Sequence, residues 1–276
     1  MRKAFVIVVM LIATTAAFGQ VQAPRPSPKA SLTQAVGITD ITINYNRPGV
    51  RGRQIWGGLV PYDQVWRTGA NEATTISFSN DVVIDGQKLP KGMYSLHTIP
   101  GREEWTVIFN SVAEQWGSYS YDAANDKLRI KVKPQQADFR EWLSFDLNEM
   151  TTDTAKIAIR WDRIAVPFTV DTKSTERTIA NFRNAMQPDW RTPYMAASFA
   201  FENPGAAADA EMNAWLDQSM KANQNIANLW LKARIMEKQG NKAEAIRYGE
   251  MAFAAATPQQ GAFASEVRKN VDNWKK

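Results

Sequence analysis

The chain has no cysteine and one histidine, His97. The first absence removes disulfides, a thiol nucleophile, thiolate metal sites and a lipidated N-terminal cysteine. The second rules out a three-histidine zinc centre, and one His with carboxylates is an unusual zinc set. A G-x-S-x-G nucleophile elbow and a glycine-rich phosphate cradle are also missing. The acidic stretch Asp122 to Asp126 lacks the spacing of a calcium loop and reads as a turn. No metal and no cofactor is therefore expected. Basic runs are absent too. A formal charge of +5 over 276 residues is mild, and Arg2 and Lys3 supply two of those charges, so nucleic acid is not an expected partner. Past Ala17 no stretch is apolar enough to span a bilayer.

What is present begins with a secretory pattern. Arg2-Lys3 is followed by the apolar run Ala4 to Ala17, and Ala17-Phe18-Gly19 places small residues before a cut near Gln20. Residues 1–19 read as a signal peptide, which makes the mature protein periplasmic or secreted without a stable membrane span. Residues 20–30 form a proline-rich linker. Hydrophobic residues make up 44%, ample for a packed core.

From Ser31 the apolar period is two. Ile41, Ile43 and Tyr45 alternate with polar residues; Thr74, Ile76 and Phe78 lead into another strand. Val82 to Ile84, the turn Asp85-Gly86 and Gln87 to Leu89 form a hairpin. Met93 to Ile99, Trp105 to Asn110, Lys127 to Lys133, Leu143 to Leu147, Ala155 to Trp161 and Val166 to Val170 continue the pattern. Short strands separated by frequent turns predict an antiparallel all-β sandwich over residues 31–170, with a barrel as the alternative. Near Asp171 the period changes to that of helices. Ser174 is a plausible N-cap for a helix carrying Ile179, Phe182 and Met186. Residues 171–276 are expected to form a small helical domain. Within it, Ala227 to Pro258, with the turn Gly240-Asn241, resembles one tetratricopeptide hairpin, and a small bundle is favoured over a peptide groove because free-standing arrays need about three units. A last helix carries Phe263, Val267 and Trp274.

The stretch Arg47 to Phe78 fits neither period. It sets Trp56, Tyr62 and Trp66 beside Arg47, Arg51, Arg53 and Arg67, the equipment of a recognition surface. Its sharpest piece is Trp66-Arg67-Thr68-Gly69-Ala70-Asn71-Glu72. With Arg47-Pro48, Leu59-Val60-Pro61-Tyr62, Leu89-Pro90 and Tyr94-Ser95-Leu96, it resembles a secreted bacterial family catalogued as domain of unknown function 2911, from about Ser27 to Val170. The resemblance implies an all-β extracytoplasmic domain and brings no activity or catalytic residues.

Two readings of the motif compete. In one, Arg67 and Glu72 form an internal ion pair and Trp66 plugs the core. In the other, Arg47, Arg67, Asn71, Glu72 and His97 line a pocket walled by Tyr62, Trp116 and Tyr119. The second aromatic loop, Ser111 to Asn125, could then bring Trp116, Tyr119 and Tyr121 to the same end of the sandwich as Trp56, Tyr62 and Trp66. His97 read alone is a hydrogen-bonded strand residue. The sequence thus supports a module binding a small polar ligand or carbohydrate. A cell-envelope scaffold acting through its helices needs an exposed apolar groove between Ala206 and Trp274. A metal-independent hydrolase using Glu72 and His97 needs the two to converge in an open cleft. Glycosidase chemistry finds no pair better than Glu72 with Asp63 or Asp122, since Glu103-Glu104 reads as a solvated turn.

Overall fold

A computed structural model describes residues 23–276; the signal-peptide expectation lies outside the described residues. Two antiparallel sheets face one another, followed by six helices. The first sheet has six strands. They are β1 (Lys29–Val36), β2 (Thr39–Asn46), β3 (Thr75–Phe78), β6 (Gly92–Ile99), β7 (Trp105–Asn110) and β8 (Asp126–Val132), in that spatial order. The second runs β5 (Gln87–Leu89), β4 (Val82–Ile84), β10 (Thr154–Asp171), β9 (Gln135–Asn148). The sheets remain separate, so the sandwich holds and the barrel alternative does not.

The predicted alternation places the core. Ile41, Ile43, Ile76, Leu96, Val107 and Phe109 point inward from one sheet. Ile84, Leu143, Phe145, Ile157, Ile159 and Val170 meet them from the other, all buried. Asp85 and Gly86 both have positive φ, as a two-residue turn matching the strand twist requires. The segments ending at Trp161 and starting at Val166 are one 18-residue strand. Its inward positions change from odd to even numbers between them, and the chain absorbs the slip with register shifts around Asp162, whose φ is 53°.

One end of the core is closed by four tryptophans drawn from both sheets and from the stretch between β2 and β3. Trp66 stacks on Trp161 at 5.8 Å, and Trp56 meets Trp105 edge-on at 4.9 Å. Trp66 donates its indole N–H to the Gly69 carbonyl, and Trp161 donates to that of Glu141. The core-plug reading of Trp66 is therefore right. The aromatic platform is not, because Trp56 and Trp66 face inward whereas Trp116 and Tyr119 face solvent.

The helices are α1 (Ser174–Ala185), α2 (Arg191–Glu202), α3 (Asp209–Ala222), α4 (Ile226–Lys238), α5 (Lys242–Ala254) and α6 (Gly261–Lys275). Ser174 is not the N-cap of α1. That place is held by Lys173 in a left-handed conformation, and the Asp153 carboxylate accepts the Thr175 amide instead. The Ser174 hydroxyl is spent on the β1–β2 turn, donating to the Val36 carbonyl and accepting from the Ile38 amide. Gly37 in that turn has φ +57°, and a Cβ there would stand 2.2 Å from that of Ser174. The start of α1 is thus seated on the first sheet.

The helices cover their own apolar faces. One cluster joins Ile179, Ala196, Trp215, Leu216 and Leu231; another joins Leu229, Trp230, Ala233, Val267 and Val271. Small residues allow the approach: a Cβ at Gly249 would meet Val271 at 2.3 Å. Met195 is the one large apolar side chain standing exposed on the six helices, so the groove required of a scaffold is missing there. Among the described residues no helix is long and apolar enough to cross a membrane.

Candidate functional site

The WRTGANE segment is clamped between β6 and the 111–125 loop. Trp66 exchanges two backbone hydrogen bonds with Thr98, at 2.7 and 2.9 Å. On the other side, Ala73 donates to the Gln115 carbonyl, and Gly117 donates to that of Asn71. Thr68 and Asn71 take left-handed conformations, with φ 53° and 57°. For β-branched Thr68 this is a strained state, held here by hydrogen bonds to Thr98 and Thr74. Pairing Trp66 with Thr98 in antiparallel register sets Arg67 opposite His97 on the sheet's outer face.

That outer face is unusual. Ser95, His97, Thr106, Ile108 and Asn110 alternate with inward core residues yet are buried, and the 111–125 loop roofs the Ser95, His97 and Asn110 part of this face. Asn110 fastens the roof by donating to the Asp122 carbonyl and the Asp126 carboxylate and accepting from Val112. Tyr121 donates to Asp126 at 2.7 Å, and Arg129 donates to both. Burial first, then this bond to Asp126, pushes the Tyr121 phenol up to about 12. Gln115 donates to the Ser95 hydroxyl and the Val112 carbonyl.

Under this roof several polar atoms lack partners. His97 is 0% exposed, its ring 5.1 Å from that of Tyr121, and neither ring nitrogen has a hydrogen-bond partner. The expected strand histidine is thus buried without a well-formed hydrogen bond, the Gly117 backbone being a weak neighbour. Burial pushes its pKa down to about 4, against weaker opposing pulls from the Gly117 backbone and Asp126, so the imidazole is neutral at neutral pH. The Gln115 carbonyl oxygen, the Ser118 hydroxyl and Arg67 Nε are likewise buried without partners. Native interiors leave few such atoms, and each asks for an explanation.

Arg67 takes part in no ion pair among the described residues, and desolvation lowers its pKa. The Arg67–Glu72 pair of the packing reading does not form. Glu72 instead accepts from Arg25 at 2.8 Å and Asn46 at 3.0 Å, with Lys29 at 3.5 Å. The Arg25 hydrogen bond is the main reason its carboxyl falls to about 2. Glu72, Asn46 and Lys29 line a shallow groove of about 510 Å³ along β1 and β2. Arg67 lines a different hollow of about 300 Å³, with Pro61, Gln64, Ser118 and Tyr119.

The sequence-selected residues therefore divide. Arg67 and Tyr119 share a hollow, and His97 lies beneath the adjoining roof. Asn71 and Glu72 belong to the Arg25 cluster, Asn71 contacting Asn46 and the Ser27 carbonyl at 3.4 Å. Arg47 ties the two sheets together by donating to the Leu143 carbonyl. Tyr62 stacks under Arg102 at 4.7 Å. Trp116 pairs by backbone with Glu72 while its ring is 59% exposed. Glu72 and His97 are in neither case among each other's partners. Gln115 and Ser118 were not singled out from sequence, since nothing in a loop's composition says that it will fold back over a sheet.

Beyond this site, a hollow of about 600 Å³ opens on the outer side of β9 and β10 and contains none of these residues. Among the described residues no group of three or more His, Asp or Glu side chains converges.

The family described as "Protein of unknown function (DUF2911)" has a profile that matches residues 27–170, just over half of the chain. The chain belongs to this family. The DUF2911 match spans both sheets and ends one residue before β10 does, so the clamp, the roof and the orphaned atoms all lie within it. No curated protein and no solved structure is significantly similar to the chain.

Proposed function

We propose that this DUF2911 protein is an exported, periplasmic or secreted binding module that takes a small polar ligand or carbohydrate between the WRTGANE segment and the 111–121 loop. The observation that carries this reading is Arg67. A guanidinium drawn partly out of water and left without a carboxylate costs free energy that an incoming acceptor would recover. It stands at a hollow with Tyr119, 86% exposed, on the opposite wall, a ring free to cover a ligand. Residues 31–170 would carry the site and residues 171–276 would form a separate helical domain. Ligand-detected NMR on the full chain, with neutral sugars and small organic acids, tests the reading. Saturable binding to at least one compound, weakened by a combined Arg67→Gln and Tyr119→Ala change, is expected. Binding that ignores both substitutions would place the ligand elsewhere.

A further inference from the structure

Resting on that reading, we infer that the ligand is a small hydroxycarboxylate of sugar-acid size, its carboxylate on Arg67 and a hydroxyl directed under the roof toward His97 and Gln115. The two ends of the site ask for different chemistry. At the mouth, Arg67 is a cation without a counter-ion among the described residues, and its planar donor fork matches a carboxylate. Further in, the groups are neutral. A neutral imidazole has one donor and one acceptor nitrogen; here neither makes a well-formed hydrogen bond, and the only backbone group acting on the ring is that of Gly117. The Gln115 carbonyl oxygen accepts only, while the amide end of the same side chain is already committed to Ser95 and Val112. A carboxylate, which only accepts, leaves the Gln115 oxygen and one His97 nitrogen unsatisfied. A hydroxyl both donates and accepts, so it suits this mixed set.

Three placements make one site of these groups. Antiparallel register puts Arg67 opposite His97. Gln115 bonds Ser95, which is two residues from His97 on the same face of β6. Ser118, directly after Gly117, lines the hollow with Arg67 and carries the fourth orphaned group. The hollow of about 300 Å³ lies at the small end of ligand pockets, which suits a single sugar acid. His97 is sealed, so the hydroxyl reaches it only when the 115–118 stretch lifts. Its tethers to the WRTGANE segment are the Ala73–Gln115 and Gly117–Asn71 backbone bonds.

Calorimetry on the full chain tests this with glucuronate, gluconate, glucose, glucuronamide and acetate. The two hydroxy acids should bind at least about tenfold more tightly than each of the other three. Arg67→Gln should erase the preference for the acids, and Arg67→Lys should keep part of it. His97→Asn, checked for folding by thermal unfolding, should weaken the hydroxy acids without affecting acetate. Equal binding of glucose and glucuronate, unchanged in Arg67→Gln, sinks the hydroxycarboxylate and leaves the small-polar-ligand reading standing. Acetate as tight as glucuronate reduces the site to an anion hole and also sinks it. No saturable binding of any of the five up to about 10 mM, with amide spectra unmoved, removes both readings; the orphaned atoms would then be held by buried water.

Discussion

Asn228 in α4 and His97 in β6 are both fully buried polar side chains, and their surroundings differ in kind. Asn228 donates to Ser219 and to the Asn223 carbonyl, and its oxygen accepts the Asn225 amide in a capping box. Ser219 in turn donates to the Trp190 carbonyl. His97 has no well-formed hydrogen bond on either nitrogen, and Gln115, Ser118 and Arg67 around it are also incomplete. Within the helices the one comparable atom is Arg177 Nε, at the seam where α1 meets the loop before β4. The helical region satisfies what it buries, as a part selected for stability does. Apart from Trp56 Nε1 and Arg160 Nε, the β region gathers its unsatisfied groups in one place, a cost that a folded protein carries where something else completes the set.

The sharpest control on that contrast is a β-region site whose partners are complete. Trp161→Ala should cost about 3–5 kcal/mol, because it removes the ring linking both sheets; urea unfolding giving under about 1 kcal/mol would mean that the tryptophan end contributes little. Next comes acid. His97 has its folded pKa lowered from 6.5 to about 4, so its contribution is complete above 6.5 and is lost as pH falls toward 4. The loss amounts to about 3 kcal/mol. His97→Leu should flatten stability over that window, and an unchanged acid limb would show that the imidazole is not held neutral. Asn228→Ala should destabilise by about 1–3 kcal/mol, since it strands Ser219 and the Asn223 carbonyl. At neutral pH His97→Leu should cost less than that, or stabilise, because no partner is stranded. If the two rank the other way, the contrast between the regions is lost. The smallest effect belongs to Glu72→Gln, below about 1 kcal/mol at neutral pH, because the pair with Arg25 is partly solvated. Glu72 has a lowered pKa, so its contribution stands above about 4.5 and fades as pH falls through about 2; the variant should lack that late acid limb.

Much of the fold was readable from local pattern. Asp85-Gly86 announced its hairpin because only certain residues reach two successive positive φ values cheaply. The change from Trp161 to Val166 in odd and even positions already encodes the bulge at Asp162, although the pattern looks like two strands. The turn at Gly240 and the small faces of α4 and α5 followed from spacing. Ser174 misled, because a serine at a helix start caps it unless a stronger contact claims the hydroxyl, and here the β1–β2 turn does so. At the site, the WRTGANE residues stood out by type, but their partners did not follow. Arg67 and Glu72 lie five apart and turn to different grooves, because Thr68 and Asn71 twist the backbone between them.

The amino-acid order alone settled the two-period architecture, the inward faces of the strands and the segment that resists both periods, since these depend on side-chain spacing within a few residues. Only the tertiary structure decided that Arg25 rather than Arg67 takes Glu72, and that residues 111–125 lie over Ser95 and His97. Both outcomes turn on which distant groups meet and which are shut away from water. Alternation marks the outer face of a strand, but whether solvent or another segment covers it is set by the whole chain.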